Sequence, residues 1–235
     1  MKYISAGYFL IMPSSRTEYM NPYLIPKTVL SASNCICKQF PDISILWESS
    51  ELRKEQYRKQ LKIQLNSFQL FEKWIEHVFH TGNLLFPQVF SSLYAAQEFL
   101  NLFLNHHNDI QIISIGLPEQ YVDDFLEDIA LYSSKNPKPY GVEQMLLQHL
   151  APEVERANTI GYEVLGFDSG SFHSYLCNGL ENDLYQQFNY KPNRHGLIAS
   201  LEEADRYSDY CNELDEETES VLWFPWAIFE YKRST

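Results

Sequence analysis

Apolar positions along this chain change period several times, and each change predicts an element. Residues 3–12 (YISAGYFLIM) are almost continuously apolar and end at Pro13, which predicts a first strand. Residues 13–26 carry Pro13, Pro22 and Pro26 among Ser and Tyr and read as a loop. Residues 28–37 and 43–47 read as further strands around a Pro41-Asp42 turn, so the first 47 residues predict a small β-meander. Leu61, Leu65, Phe68, Phe71, Trp74, Ile75, Val78 and Phe79 then keep helical spacing, predicting one long helix over about 51–80. Ser49 or Ser50 would cap it, and Gly82 would end it. A second helix is expected over about 88–107, with Pro87 in its first turn and Val89, Leu93, Ala96, Leu100, Phe103 and Leu104 facing inward.

Residues 109–116 (DIQIISIG) predict a short buried strand, and Pro118 opens a third helix through about 132. Its outer face carries Asp123, Asp124, Glu127 and Asp128. A loop at 133–139 and a short helix over 142–150 lead into the stretch 161–188. There, Tyr162, Val164 and Gly166 alternate with Glu163, Leu165 and Phe167, the period of a strand. Asp168, Ser169 and Gly170 break it. Phe172, Leu176, Leu180, Leu184 and Phe188 recur every fourth residue, which predicts an amphipathic helix with Gly179 as a possible division into two. An acidic helix near 199–213 and an aromatic strand over 221–231 close the chain. Pro225 within that strand predicts an edge position or a bulge.

Strands at both ends with helices between them predict an α+β fold. Its sheet, mixed or antiparallel, would be assembled from N- and C-terminal strands and packed with the helical middle, in one domain over 1–235. With 45% hydrophobic and 15% aromatic residues, a sizeable core is expected. There is no run of 18 apolar residues, so no membrane span is expected. The N-terminus lacks a secretory pattern, and the four cysteines show no disulfide framework, so a cytoplasmic protein is expected.

Charge sharpens the picture. The net charge is -13, but residues 1–80 carry 10 Lys and Arg against 7 Asp and Glu, whereas 81–235 carry 8 against 24. The densest piece, Glu202 to Glu219, has nine acids and one cation, Arg206. Such a field repels nucleic acid, whose phosphates need Lys and Arg, and favours basic proteins. The basic residues Arg53, Lys54, Arg58, Lys59 and Lys62 are expected on a solvated helix face paired with Glu51 and Glu55.

Candidate chemistry is sparse. On one helix, His173 and Cys177 would be neighbours four residues apart, with Asp168 to orient the His, the elements of a Cys-dependent hydrolase or transferase. Gly166 to Gly170 has the form G-x-D-x-G after a strand, like a nucleophile elbow. Too little chain follows for the parallel strands and downstream His that such an enzyme needs, so an ordinary turn is expected. His77 and His80 form H-x-x-H, but His106 and His107 would lie far from them along an antiparallel helix pair. Cys35-x-Cys37 lacks a second pair for zinc. No phosphate loop or dinucleotide fingerprint is present, and no cofactor is expected.

The sequence therefore favours an acidic protein-binding protein over an enzyme, with a Cys-dependent hydrolase or transferase using His173 and Cys177 as the alternative. The expected role of the binding protein is that of an inhibitor, immunity protein or antitoxin that neutralises a basic partner such as a toxin. The expected contact residues are Glu202, Glu203, Asp205, Asp209, Glu213, Asp215, Glu216 and Glu217.

Overall fold

The computed structural model describes residues 1–132, 139–153, 157–214 and 221–233. Its strands are β1 (Tyr3–Met12), β2 (Ser14–Ser15), β3 (Thr28–Val29), β4 (Lys38–Phe40), β5 (Leu84–Leu85), β6 (Val89–Phe90), β7 (Gln111–Pro118), β8 (Ala157–Asp168), β9 (Ser171–Ser174) and β10 (Phe224–Tyr231). Its α-helices are α1 (Glu51–Gln60), α2 (Leu65–His80), α3 (Leu93–Phe103), α4 (Val122–Tyr132), α5 (Val142–Leu146), α6 (Glu181–Phe188) and α7 (Leu201–Glu213). The fold is α+β, as expected.

The large sheet runs in the order β5-β6-β1-β7-β10-β8-β9, with β4 also paired to β1, and its pairings are antiparallel. The N-terminal β1 and the C-terminal β10 flank β7 at the centre of the sheet. Alternation along these strands sends side chains to opposite faces. Ile113, Ile115, Leu117, Phe224, Trp226 and Ile228 join one buried cluster with residues of α4, α5, α6 and α7. Ile112, Ala227, Phe229 and Tyr231 join another with residues of α1, α2 and α3. Within β1 the register shifts between Ser5 and Tyr8, and Gly7 there has φ +106°. That shift lets Ile4 and Ala6 share a face with Phe9 and Ile11.

Several expected elements are corrected. The β-meander is absent from the first 47 residues. After β3, Ser31 Oγ accepts from Ser33 N at 3.0 Å and Ser33 Oγ accepts from Cys35 N at 3.2 Å, and these local bonds curl the chain. Residues 43–47 form a 3-10 turn started by Asp42, which accepts from Ser44 N at 3.0 Å. The expected helix over 51–80 is two helices, with Lys62 between them at φ +55°. Tertiary and local bonds take the carbonyls at the break: Leu61 O accepts from His106 Nε2 at 3.0 Å, and Ile63 O accepts from Arg58 Nη1 at 2.6 Å. The second helix starts later than expected because Val89 and Phe90 pair in the sheet, and Ser92 then caps α3 by accepting from Ala95 N at 3.2 Å.

The stretch after β8 departs most. Ser169 and Gly170 both take positive φ, 50° and 84°, and return the chain as a hairpin in which Asp168 pairs with Ser171. β9 leads into a 3-10 turn, Tyr175–Asn178. Gly179, at φ +69°, ends that turn before α6, the division allowed for at this glycine. Phe172, Leu176, Leu180 and Leu184 are all buried, although they do not share one helix. Pro225 pairs with Val164, and β10 joins β7 only from Ala227 onward, so the proline precedes the two-sided part of its strand.

Candidate functional site

The acidic residues gather on two helices that cover one side of the sheet. α7 begins at Ser200, whose Oγ accepts from Glu203 N at 3.3 Å and donates to Glu203 Oε2 at 3.1 Å. This reciprocal cap fixes the first turn. Ala204, Tyr207 and Cys211 face inward and are buried. α4 lays Val122 and Phe125 into the same core, with Phe125 packed edge-on against Phe224 and Trp226. Just before α4, the Tyr121 hydroxyl donates to Asp205 Oδ1 on α7 at 2.9 Å. Burial raises the Asp205 carboxyl above the ordinary carboxylate range, opposed by the Tyr121 bond and reinforced by Asp209.

With the inner faces packed, the outer faces present Asp123, Asp124 and Glu127 on α4 and Glu202, Asp209 and Glu213 on α7. The one cation of α7, Arg206, lies over the Phe188 ring at 5.8 Å. Among the described residues, no acid of α4 or α7 takes part in an ion pair. The basic residues of the N-terminal half are treated differently. Lys54 pairs with Glu72 at 2.8 Å, Arg58 with Glu55 at 2.6 Å, and Arg53 with Glu48 at 3.3 Å. The cations of α1 are thus largely answered from within, and the acids of α4 and α7 are not.

Of the expected contact residues, Glu202, Asp209 and Glu213 are exposed on this face, whereas Glu203 and Asp205 are engaged by the cap and by Tyr121. Asp215, Glu216 and Glu217 lie outside the described residues. Asp128, expected on the outer face of the third helix, is buried and accepts a backbone bond from Leu222.

A second polar centre was not anticipated. Glu163, in the middle of β8, is 1% exposed. Ser31 Oγ donates to its Oε1 at 2.6 Å, and Ala32 N donates to its Oε2 at 2.9 Å. Burial nevertheless dominates these bonds and a further one from Ser174, and holds the carboxyl at about 7. Cys37, Tyr175, Cys177 and Tyr190 lie close enough to feel its charge. The Tyr175 and Tyr190 hydroxyls share a hydrogen bond of 2.5 Å beside it. This arrangement anchors the loop after β3 onto β8. Strand alternation places Glu163 among apolar neighbours, the one sequence signal for it. Its partners Ser31 and Ala32 stand more than 130 positions away.

The expected Cys–His pair loses the geometry on which it was based. His173 lies in β9, and Cys177 lies in the following 3-10 turn, so no helix sets them four residues apart on one face. Asp168 is exposed at the hairpin turn and accepts from Ser169 Oγ at 3.1 Å. Burial pushes the Cys177 thiol up to about 11, away from the thiolate that nucleophilic catalysis uses. His106 and His107 both turn a ring nitrogen to Leu61 O, and His80 Nδ1 bonds Glu76 O at 2.7 Å. Among the described residues no cluster of His, Cys, Asp and Glu is arranged to hold a metal ion. No described helix is long and apolar enough to cross a membrane. Comparison with protein-family models, curated proteins and solved structures finds no match.

Proposed function

We propose that this chain is a protein-binding protein that captures a basic partner on the acidic face of α4 and α7. The observation that carries this reading is the set of six exposed acids on two helices, joined through Tyr121 and Asp205, with no ion-pair partner among the described residues. A folded surface with unanswered negative charge speeds encounter with positive surfaces and repels nucleic acid. The finer reading is an inhibitor or immunity-type role, that of an antitoxin, in which the partner is a basic toxin neutralised in the cytoplasm. A toxin that acts on phosphate-bearing substrates is basic at its site, so an acidic helical face can occupy that site in the substrate's place.

The test is capture from a lysate of the native host at low salt, followed by a salt gradient. Three baits are compared: the wild type, E202K/D209K/E213K, and a control reversed at Glu48 and Glu51. The reading expects one basic protein recovered stoichiometrically by the wild type and the control and lost by the α7 variant. Equal recovery by all three baits would remove the acidic face from consideration.

A further inference from the structure

Two cysteines converge outside the acidic face, at Ser33. The Ser33 carbonyl accepts from Ile36 N at 3.1 Å and from Cys37 N at 2.9 Å, closing a single turn. Its hydroxyl accepts from Cys35 N at 3.2 Å. That same hydroxyl lies 3.5 Å from Cys177 Sγ, 144 positions further along the chain. The main-chain N–H of Cys35 and the thiol of Cys177 therefore meet at one oxygen, which brings the two residues together from segments otherwise joined only by the fold. The other cysteines are excluded by position. Cys37 is buried with its thiol donating to Val29 O at 3.4 Å, and Cys211 is buried in the inner face of α7.

We propose that Cys35 and Cys177 form a peroxide-sensitive thiol pair that closes to a disulfide across Ser33. Exposure decides the order of events. Cys35 is the exposed member, and Cys177 is half-buried. Desolvation is the main cause that holds the Cys177 proton on, and the neighbouring Cys35 sulfur adds to it. Cys35 therefore reacts first. Its thiolate attacks one oxygen of hydrogen peroxide, an S–O bond forms, the O–O bond breaks, and the departing hydroxide takes up a proton as water. Cys177 Sγ then attacks the Cys35 sulfenic sulfur. The S–S bond forms, the S–O bond breaks, and the leaving hydroxide accepts the Cys177 proton as a second water. Two thiols lose two electrons, and one peroxide is reduced to two waters.

The consequence is mechanical. Ser31 and Ala32, which hold Glu163, precede Cys35 in the same loop, and Ser174 precedes Cys177 on the other side. A bond between the two segments would tie the loop after β3 to the 3-10 turn after β9 and seal Glu163 beneath it.

The test treats the reduced, folded wild-type protein with one equivalent of hydrogen peroxide, blocks remaining thiols, and maps the cysteines by mass spectrometry. The expected result is the loss of two hydrogen atoms and one linked peptide pair containing Cys35 and Cys177. The link should be reversed by dithiothreitol, with a Tm raised on the order of 10 °C while it is intact. C177S should trap a dimedone adduct at Cys35, and C35S should trap none at Cys177. A Cys35–Cys37 link, a dimer through Cys35, or sulfinic Cys35 beside a Cys177 that remains a thiol would each overturn the proposal. Because the mapping uses the wild type, a variant that fails to fold does not affect it.

Discussion

The Tyr121 hydroxyl donates to Asp205 at 2.9 Å across 84 positions of sequence, and through that bond the start of α4 is held against α7. Two acidic helices that would repel one another are kept side by side by an aromatic donor and by the shared Trp226 and Phe224 core beneath them. Burial offsets the repulsion, and the outward carboxylates have no ion-pair partner among the described residues.

Removing the donor should loosen this arrangement. Tyr121→Phe keeps the ring against Phe224 and deletes one hydrogen bond to a carboxylate, so a loss of about 1–2 kcal/mol is expected at pH 7. Below pH 3 Asp205 is protonated, and the loss should shrink. Denaturant unfolding at both pH values checks this, and an equal loss at each would show that the charge on Asp205 contributes nothing.

Charge reversal on the exposed side should act on rate more than on fold. E202K/D209K/E213K should keep the wild-type Tm within a few degrees, since none of the three is buried or ion-paired among the described residues. Association with the basic partner should slow by about tenfold or more and lose most of its salt dependence. Stopped-flow association across ionic strengths measures both. An unchanged salt slope would show that encounter is steered elsewhere.

Glu163 should make stability depend on pH. Its carboxyl stands at about 7 in the folded protein against an ordinary 4.5, so the folded state binds the proton more tightly. The stabilisation is complete below about pH 4.5 and is lost as pH rises through 7, with a total on the order of 3 kcal/mol. Glu163→Gln should be less sensitive to pH between 5 and 8, and the difference between the two proteins isolates this one group. Parallel stability curves for wild type and variant would refute the assignment.

Gly7 should tolerate no side chain. Its φ is +106°, and an added Cβ would stand 2.2 Å from Val89 Cγ1 and 3.1 Å from Phe90 O. Gly7→Ala should cost about 2 kcal/mol or more, because left-handed strain and a clash with β6 add together. A thermal melt that matches wild type would mean that β1 can lose its bulge freely.

The class of fold, the strands at 3–12 and 109–116, the acidic helix near 199–213 and the segregation of charge are legible in the sequence. Each of these rests on a period or a composition that the residues carry locally. The sequence also marked Gly179 as a division, because a glycine costs a helix interior too much to pass unnoticed. Tertiary structure decided what the periods left open. Phe172, Leu176, Leu180 and Leu184 satisfy a helical spacing, yet Ser169 and Gly170 at positive φ turn the first of them into a strand paired with β8. The same four side chains are buried either way, so burial alone could not choose between the two forms. The break between α1 and α2 has no glycine or proline to announce it and depends on His106, a partner 45 positions away. Glu163 with Ser31, and Cys35 with Cys177, are likewise pairs from separate segments. Nothing local to either member signals the other, and only the antiparallel sheet, which returns distant strands to one place, brings them within bonding distance of a common partner.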